Sequence, residues 1–264
     1  MHGEDSPSAS GSAIPSIGRT IDVHFTPPAA EAVAGTTLIV IDTLRATTAI
    51  TTLLAAGAEA IYPCAGHGEA RSLAATLPGS VLCGESNGLK VDGFDYGNSP
   101  TEFEGIDVRG WTVVQSTSNG TRALALTASA EVTFAGCLRN RAAVARAALS
   151  APGAIAVVCS GEQDATAPSV EDSFTAGAVV EAVLAADATR TPLAGALLAR
   201  RLFRSYRRSA TAAFAESPHA AHLQRLGFTN DLRFAGAMDV ESTVPLATID
   251  AANHVVVRSA RSRS

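Results

Sequence analysis

The stretch that decides the fold is Thr37-Leu38-Ile39-Val40-Ile41-Asp42-Thr43-Leu44-Arg45-Ala46-Thr47-Thr48. Its apolar run, residues 38–41, is typical of a strand buried on both faces at the centre of a parallel sheet. The run ends at Asp42, and an Ala/Leu/Ile-rich helix is predicted over residues 46–56. Open α/β sheets bind their ligands at the carboxyl ends of the strands. The stretch therefore predicts a central strand and one wall of a binding site.

Strands and helices alternate along the rest of the chain. Strands are predicted at 19–25, 37–42, 59–64, 80–84, 111–116, 131–136, 154–160 and 247–258, with helices between them and at 169–185, 192–208 and 218–226. This rhythm predicts a three-layer α/β/α fold with a largely parallel sheet. Leu54–Glu59 resembles Leu126–Glu131 in sequence. Two similar halves that meet at one site would explain the resemblance, and so would chance in an Ala-rich chain.

The length of the chain, 264 residues, suits one large α/β domain. Residues 19–258 are predicted to form that domain, between a disordered leader over 1–18 and a disordered tail over 259–264. The leader lacks the basic and apolar regions of a signal peptide. Although 47% of the residues are hydrophobic, no apolar run approaches the ~18 residues of a membrane span. A soluble, cytoplasmic protein without a membrane partner is expected.

Charge and cysteine content bound the other partners. The net charge is −5, and no large basic surface suggests nucleic acid. The arginines of the helix predicted at 192–208 are interpreted as a solvated face. The cysteines show no CxxC spacing and are expected to be reduced thiols in or just after buried strands: Cys64, Cys83, Cys137 and Cys159. An Ala-rich helical surface permits a homodimer without requiring one.

Polar residues gather where the predicted strands end. The ends carry acids, hydroxyls and glycines at Asp42, 84–85, 116–121, 136–137 and 160–162. Parallel strands deliver these ends to the same edge of a sheet, which predicts one polar crevice. Within it, the turn Ser118-Asn119-Gly120-Thr121 enters a helix. It can cradle a phosphate with its N–H groups and hydroxyls, or serve as a plain helix cap.

Asp42 and Arg45 are the principal candidates for chemistry in this crevice. A carboxylate can hold a hard cation, and the guanidinium fork suits a phosphate, although Arg45 can also simply pair with Asp42. Further candidate carboxylates, each also explained as solvated or capping, are Glu85, Asp95, Glu171 and Asp172. His219 and His222 are interpreted as partly exposed helix residues rather than metal ligands.

Several sharper motifs are absent from the sequence. No GxxxxGK[ST] segment exists, which excludes a P-loop NTPase, and no GxSxG elbow exists. Leu44 stands where a DxD-type phosphatase has its second acid.

With these residues collected, the chain resembles the 2-phosphosulfolactate phosphatase family. The matching segments, in order, are 40–48, 84–85, 93–100, 117–121, 140, 159–161, 171–172, 223–231 and 244–245. The resemblance implies a magnesium-dependent phosphomonoesterase that acts on phosphate esters of small 2-hydroxy acids. In the family's namesake reaction, 2-phospho-3-sulfolactate and water give 3-sulfolactate and phosphate, a step towards coenzyme M. The loop 162–168 does not match, and Ser86-Asn87 stands where a more basic loop is expected.

The expected site follows from the crevice and the resemblance together. Catalytic roles are expected for Asp42, Arg45 and Glu85, and phosphate contacts for Thr47, Thr48, Asn98, Ser118, Asn119, Gly120 and Thr121. The ligands expected for Mg²⁺ are Asp42, Glu85, Asp95 and Asp172. Either water attacks the phosphorus, or Asp42 attacks it and forms an aspartyl phosphate. Two alternatives stay open: a phosphatase or phosphotransferase for another phosphorylated metabolite, and a non-catalytic binder of anionic metabolites.

Overall fold

The computed structural model describes residues 17–117 and 120–260. In this part of the chain eleven strands form one sheet: β1 (Thr20–His24), β2 (Thr37–Ile41), β3 (Ala60–Cys64), β4 (Val81–Ser86), β5 (Leu89–Lys90), β6 (Thr112–Ser116), β7 (Val132–Gly136), β8 (Ile155–Cys159), β9 (Thr191–Pro192), β10 (Pro245–Ile249) and β11 (Val255–Ser259). The helices of the same part are α1 (Ala46–Ala55), α2 (His67–Thr76), α3 (Gly120–Leu124), α4 (Arg141–Ser150), α5 (Val170–Ala186), α6 (Ala194–Ser205), α7 (Ala210–Phe214), α8 (Pro218–Arg225) and α9 (Thr229–Ala235).

Strand β2 is buried on both faces, as its apolar run predicts. Its five residues are inaccessible to solvent, and it lies between β7 and β8, both parallel to it. Leu38 and Val40 pack with residues of α1 and α3, whereas Ile39 and Ile41 pack with residues of α4, α5 and α6. Full burial stabilises each such side chain by about 1.5–3 kcal/mol. The sheet thus carries helices on both faces, which confirms the three-layer α/β/α prediction.

The sheet contains two parallel blocks that run in opposite directions. Its strand order is β5-β4-β6-β3-β11-β10-β7-β2-β8-β1-β9. One parallel block is β4-β6-β3 and the other is β7-β2-β8-β1-β9. The hairpin β10–β11 joins them, because β10 is antiparallel to β7 and β11 is antiparallel to β3. The prediction of a largely parallel sheet is confirmed, but the single strand expected at 247–258 is in fact this hairpin.

The two blocks are related by a pseudo-twofold axis. The order β2-α1-β3-α2-β4 repeats as β6-α3-β7-α4-β8, and the β2–β7 and β6–β3 pairs have equivalent registers. At the axis, Ala247 of β10 pairs with Val257 of β11. On their other sides Ala247 pairs with Thr133 of β7 and Val257 pairs with Ile61 of β3, and residues 133 and 61 occupy equivalent positions in the two halves. The two similar halves suggested by the sequence are therefore present. The segments 54–59 and 126–131 lead into the equivalent strands β3 and β7.

Sheet twist explains how oppositely directed blocks contribute to one site. Neighbouring strands are rotated by roughly 20–25°, so the five steps from β6 to β2 accumulate more than about 100° of rotation. Helices α1 and α3 share one apolar core with strands of both blocks. The residues that follow β2 and β6, Asp42 and Thr117, consequently line the same cavity. The strand ends predicted to form a common site therefore meet because the sheet is twisted, and not because they lie along one edge of a flat sheet.

The predicted boundaries need two adjustments. Ile17–Arg19 forms a 3-10 turn and Ser259 belongs to β11, so these parts of the expected leader and tail are structured. Residues 1–16 and 261–264 lie outside the described residues.

The four cysteines are free and buried, as expected. No helix in the described ranges has the length and apolarity needed to cross a membrane.

The polar segment after β4 is more ordered than a loop. Glu85 and Ser86 belong to β4 and pair with Lys90 and Leu89 of β5. The connection Asn87-Gly88 has φ values of 52° and 84°, as a type I′ turn requires. We name this two-residue turn the hairpin tip. Residues 87 and 88 line the same cavity as Asp42 and Thr117.

Candidate active site

Two cavities meet at Asp42. The larger, the main cavity, has a volume of about 330 Å³ and is lined chiefly by polar side chains, among them Asp42, Arg45, Glu85, Asn98, Thr117, His219 and His222. The smaller, the acidic cavity, has a volume of about 30 Å³ and contains Ser160, Glu162, Glu171 and Asp172 in its lining. Asp42 and His219 line both. Asp42 therefore lies between a space for a small molecule and a cluster of carboxylates.

The carboxylate of Asp42 is held by the elements that flank it. Its Oδ1 accepts a hydrogen bond from the Ala46 N–H at 3.1 Å, so the first turn of α1 serves Asp42 itself. Its Oδ2 lies against Gly120, where a Cβ atom would overlap Oδ2 and come within 2.7 Å of the Ala46 Cβ. Burial raises the pKa of Asp42 to about 6, and the nearby charge of Glu85 adds to the rise. The predicted proximity of Asp42 and Gly120 is observed.

The acidic cavity concentrates buried carboxylates around Asp42. Asp172 accepts hydrogen bonds from the Thr43 N–H at 2.8 Å and the Ser160 hydroxyl at 3.0 Å. Burial, with the charge of Asp42, raises the pKa of Asp172 to about 7. Burial, with the charge of Asp172, raises the pKa of Glu171 to about 8. Both pKa shifts arise from burial and from the closeness of like charges in the acidic cavity.

Two oxygens of this cluster point to a missing electropositive partner. Glu171 Oε2 and Glu162 Oε1 are buried and have no hydrogen-bond partner, an arrangement that is unfavourable for carboxylate oxygens. Within the described ranges no three His, Cys, Asp or Glu residues form a complete metal-binding group. Mg²⁺, however, is usually held by one or two carboxylates, waters and substrate phosphate. Asp42 and Asp172, beside these unpartnered oxygens, fit that requirement.

Arg45 is committed to other residues rather than to Asp42. Its Nη1 donates to Asp231 at 2.9 Å, its Nη2 donates to the Gly88 carbonyl at 2.6 Å, and its guanidinium stacks 4.4 Å from the centre of the Phe228 ring. Only 3% of the residue is exposed, although it lines the main cavity. The suggested pairing with Asp42 is not observed. Arg45 ties α9 to the hairpin tip, which corrects its predicted role as a free phosphate ligand.

The two threonines expected to bind phosphate serve the backbone. The Thr47 hydroxyl lies within hydrogen-bond distance of the Asp42 and Gly136 carbonyls, and the Thr48 hydroxyl donates to the Thr43 carbonyl. Both threonines are fully buried and absent from the lining of both cavities. The structure therefore gives them a role in fixing the junction of β2 and α1.

The remaining predicted residues divide into three groups. Glu85 lines the main cavity and accepts the Gly88 N–H at 2.8 Å, and Asn98 lines it while accepting from Gln115 at 2.8 Å. Asp95 accepts the Leu82 N–H at 2.8 Å and lies outside both linings, so its predicted place among metal ligands is not supported. Ser118 and Asn119 lie outside the described residues, as does the side chain of Thr121.

Sequence reasoning missed the contribution of α8. His219 Nε2 donates to the Leu44 carbonyl at 2.9 Å, and His222 Nε2 donates to the Asn87 carbonyl at 3.1 Å. Both half-buried rings line the main cavity. Their spacing of three residues indicated a shared helix face, but the orientation of that face depends on the burial of Leu223 in a core that α5, α6 and α7 complete.

The loop that departs from the family pattern also lies at the cavity. Gln163 and Asp164 line the main cavity, and the loop is closed by a short bridge between Glu162 and Ala167. Residues 163–165 have positive φ values of 51°, 58° and 66°, a conformation that non-glycine residues adopt at a cost and that is common at functional sites. The departure therefore falls where a substrate would be contacted.

Comparison with known proteins places this site in a family. The family model described as 2-phosphosulpholactate phosphatase matches residues 25–249. A relative in Caldanaerobacter subterraneus subsp. tengcongensis is 36% identical over 79% of this chain and 86% of its own length. Relatives in Symbiobacterium thermophilum and Carboxydothermus hydrogenoformans are 35% and 36% identical over 84% and 85% of this chain, and over 95% and 92% of their own lengths. All three are named as probable 2-phosphosulfolactate phosphatases. The chain belongs to the 2-phosphosulpholactate phosphatase family.

Proposed function

We propose that this protein is a magnesium-dependent phosphatase that hydrolyses the phosphate ester of a small 2-hydroxy acid. Its family makes it a phosphoric monoester hydrolase, and the names of its relatives make 2-phosphosulfolactate, giving 3-sulfolactate and phosphate, the first substrate to test. The observation that carries the proposal is the position of Asp42, which lies between the main cavity and the acidic cavity. A volume of about 330 Å³ suits a ligand of this size.

A cation is required because the site is acidic and the substrate is anionic. Asp42, Glu85, Glu171 and Asp172 line the two cavities, whereas Arg45 is already paired with Asp231. Asp42 and Asp172 would hold Mg²⁺, which when bound would neutralise charge on the phosphoryl group. Phosphate monoesters hydrolyse very slowly in water, so neutralisation and alignment are the main demands on the protein.

The second half of the sheet supplies the groups opposite Asp42. Thr117 lines the main cavity, and Gly120 begins α3 beside Asp42. The Thr117 hydroxyl and the Gly120 backbone N–H would hold phosphoryl oxygens as negative charge spreads over them. Because Asp42 is assigned to the cation, we propose attack by water rather than by Asp42 itself. In that route the water oxygen bonds to phosphorus and the ester P–O bond breaks. One water proton ends on the leaving oxygen, which gives the hydroxy acid, and the other stays with the phosphate.

The experiment that tests the function is a phosphate-release assay on phosphorylated 2-hydroxy acids, with Mg²⁺ and with EDTA. We expect release that requires Mg²⁺ and that is lost in EDTA. Binding without release would make the protein an anion binder, and release that persists in EDTA would remove magnesium from the proposal. Trapping of labelled phosphate on the protein would favour the aspartyl-phosphate route instead.

A further inference from the structure

We propose that His222 binds the acidic group of the substrate. It thereby selects phosphate esters that carry a carboxylate over phosphate esters whose corresponding group is uncharged. This inference rests on the proposed function and adds to it the residue that recognises the substrate class. His222 lies on α8, lines the main cavity and contacts the hairpin tip.

The charges of the main cavity leave few groups that can receive a carboxylate. Asp42 and Glu85 are acidic, and the two terminal nitrogens of Arg45 already donate to Asp231 and the Gly88 carbonyl. Among the described lining residues, the groups that can still become cationic are the imidazoles of His219 and His222. An acidic group of the substrate would otherwise face like charges, which is unfavourable.

Position on the helix distinguishes the two imidazoles. His219 lies in the first turn of α8, where the helix dipole disfavours a cation, and His222 lies in the last turn, where it favours one. His219 also borders the acidic cavity, whereas His222 borders only the main cavity of the two. His222 is therefore the better partner for a carboxylate.

The orientation of the His222 ring is fixed before any ligand arrives. Its Nε2–H is committed to the Asn87 carbonyl at 3.1 Å, and the adjacent Gly88 carbonyl is held by Arg45 at 2.6 Å. The nitrogen left for a ligand is Nδ1. Nδ1 can donate to a substrate carboxylate when it carries a hydrogen, since an imidazole with both nitrogens protonated is a double donor. The ring thus meets the substrate as a preorganised donor.

The test compares two substrates that differ in one charge, 2-phospholactate and its carboxamide. His222→Gln can keep a donor for the Asn87 carbonyl but cannot become cationic, so it separates charge from packing. Arg225→Gln, which removes an exposed charge from the same helix, is the matched control. KM and kcat are measured by phosphate release with Mg²⁺, and Kd is measured in EDTA, where no turnover is expected.

For His222→Gln we expect KM and Kd for 2-phospholactate to rise about tenfold, which corresponds to ~1.4 kcal/mol, with the values for the carboxamide unchanged. Arg225→Gln should behave as the wild type. Equal effects on both esters, no effect on either, or no wild-type preference for the acid would overturn the assignment. If the wild type releases no phosphate, the proposed function fails, and the Kd comparison still decides the role of His222.

Discussion

Asp42 and Thr117 occupy equivalent positions in the two halves of the sheet, and both line the main cavity. Asp42 directly follows β2, Thr117 directly follows β6, and the pseudo-twofold axis relates these two strands. The site therefore lies between two copies of the same β-α-β-α-β unit. One copy supplies a carboxylate at this position and the other a hydroxyl. A symmetric scaffold thus presents an asymmetric pair, as charge neutralisation on one side of a phosphoryl group and hydrogen bonding on the other would require.

Asp42→Asn should abolish most of the activity without unfolding the protein. The Asn carbonyl can still accept the Ala46 N–H that Asp42 Oδ1 accepts at 3.1 Å, so the fold is retained while the charge is lost. We expect kcat to fall at least about 100-fold, since removal of a principal electrostatic group has effects of this size. Phosphate release and a thermal melt measure the two properties, and full activity in the variant would refute the proposed centre.

The matched control for that variant is Asp95→Asn. Asp95 accepts the Leu82 N–H and lies outside both cavities, so activity should stay within about twofold of the wild type. The result also decides whether the metal-ligand role expected for Asp95 from the sequence was wrong.

Magnesium should stabilise the folded protein through the acidic cavity. A ligand that binds only the folded state adds about 2.7 kcal/mol of stability at 100 times its Kd. We expect Mg²⁺ to raise Tm in the wild type and to do so much less in Asp172→Asn, because Asp172 lies beside the unpartnered oxygens of Glu171 and Glu162. An equal rise in both proteins would exclude Asp172 as a ligand.

Much of the fold could be predicted because the local composition of each segment indicates its secondary structure and burial. The run 38–41 has the composition of a doubly buried strand, and it is one. The oppositely directed blocks could not be predicted, because strand periodicity carries no information about which strands pair. The short elements β5, β9, α7 and α9 escaped notice for a related reason, since they are held by tertiary contacts more than by their own periodicity.

The candidate site was predictable only where it is close in sequence. Asp42, Glu85 and Asn98 were found from strand ends and motifs, and all three line the main cavity. The partner of Arg45 is Asp231, which lies 186 residues away. No local sequence pattern predicts such a pair. No local pattern predicts which side of α8 faces the cavity either.

Arg45→Met should act mainly on stability. The ion pair with Asp231 is buried, with side-chain exposures of 2% and 1%, and removal of one partner from a buried pair typically lowers the free energy of unfolding by about 3–5 kcal/mol. Urea denaturation measures this loss. The double variant Arg45→Met/Asp231→Leu should be more stable than the single one, since no unpaired charge remains. A stable single variant with a raised KM would instead support direct phosphate binding.

Glu181 should make stability depend on pH in the acid range. Its carboxylate pairs with Arg200, Arg204 and Arg208. Despite the opposing effect of burial, Arg204 and Arg200 lower its pKa from the usual 4.5 to about 2. A carboxylate with a lowered folded-state pKa contributes stability above pH ~4.5 and loses it as the pH falls towards 2. Glu181→Gln should therefore reduce stability at pH 7 but hardly at pH 2, as chemical denaturation at both pH values can show.

Gly120→Ala tests the closeness of the two halves at the proposed reaction centre. A Cβ atom at residue 120 would overlap Asp42 Oδ2 and lie 2.7 Å from the Ala46 Cβ, so α3 or Asp42 must move. Displacement of aligned groups by a fraction of an ångström weakens catalysis, and we expect kcat to fall at least about tenfold, or ~1.4 kcal/mol. Gly68→Ala is the control: Gly68 lies in α2, has no neighbour within 4 Å of the added atom, and should gain up to about 1 kcal/mol of stability with unchanged activity. Normal activity in Gly120→Ala would mean that Gly120 does not have to stay close to Asp42 during the reaction, and the contribution assigned to the second half would then be wrong.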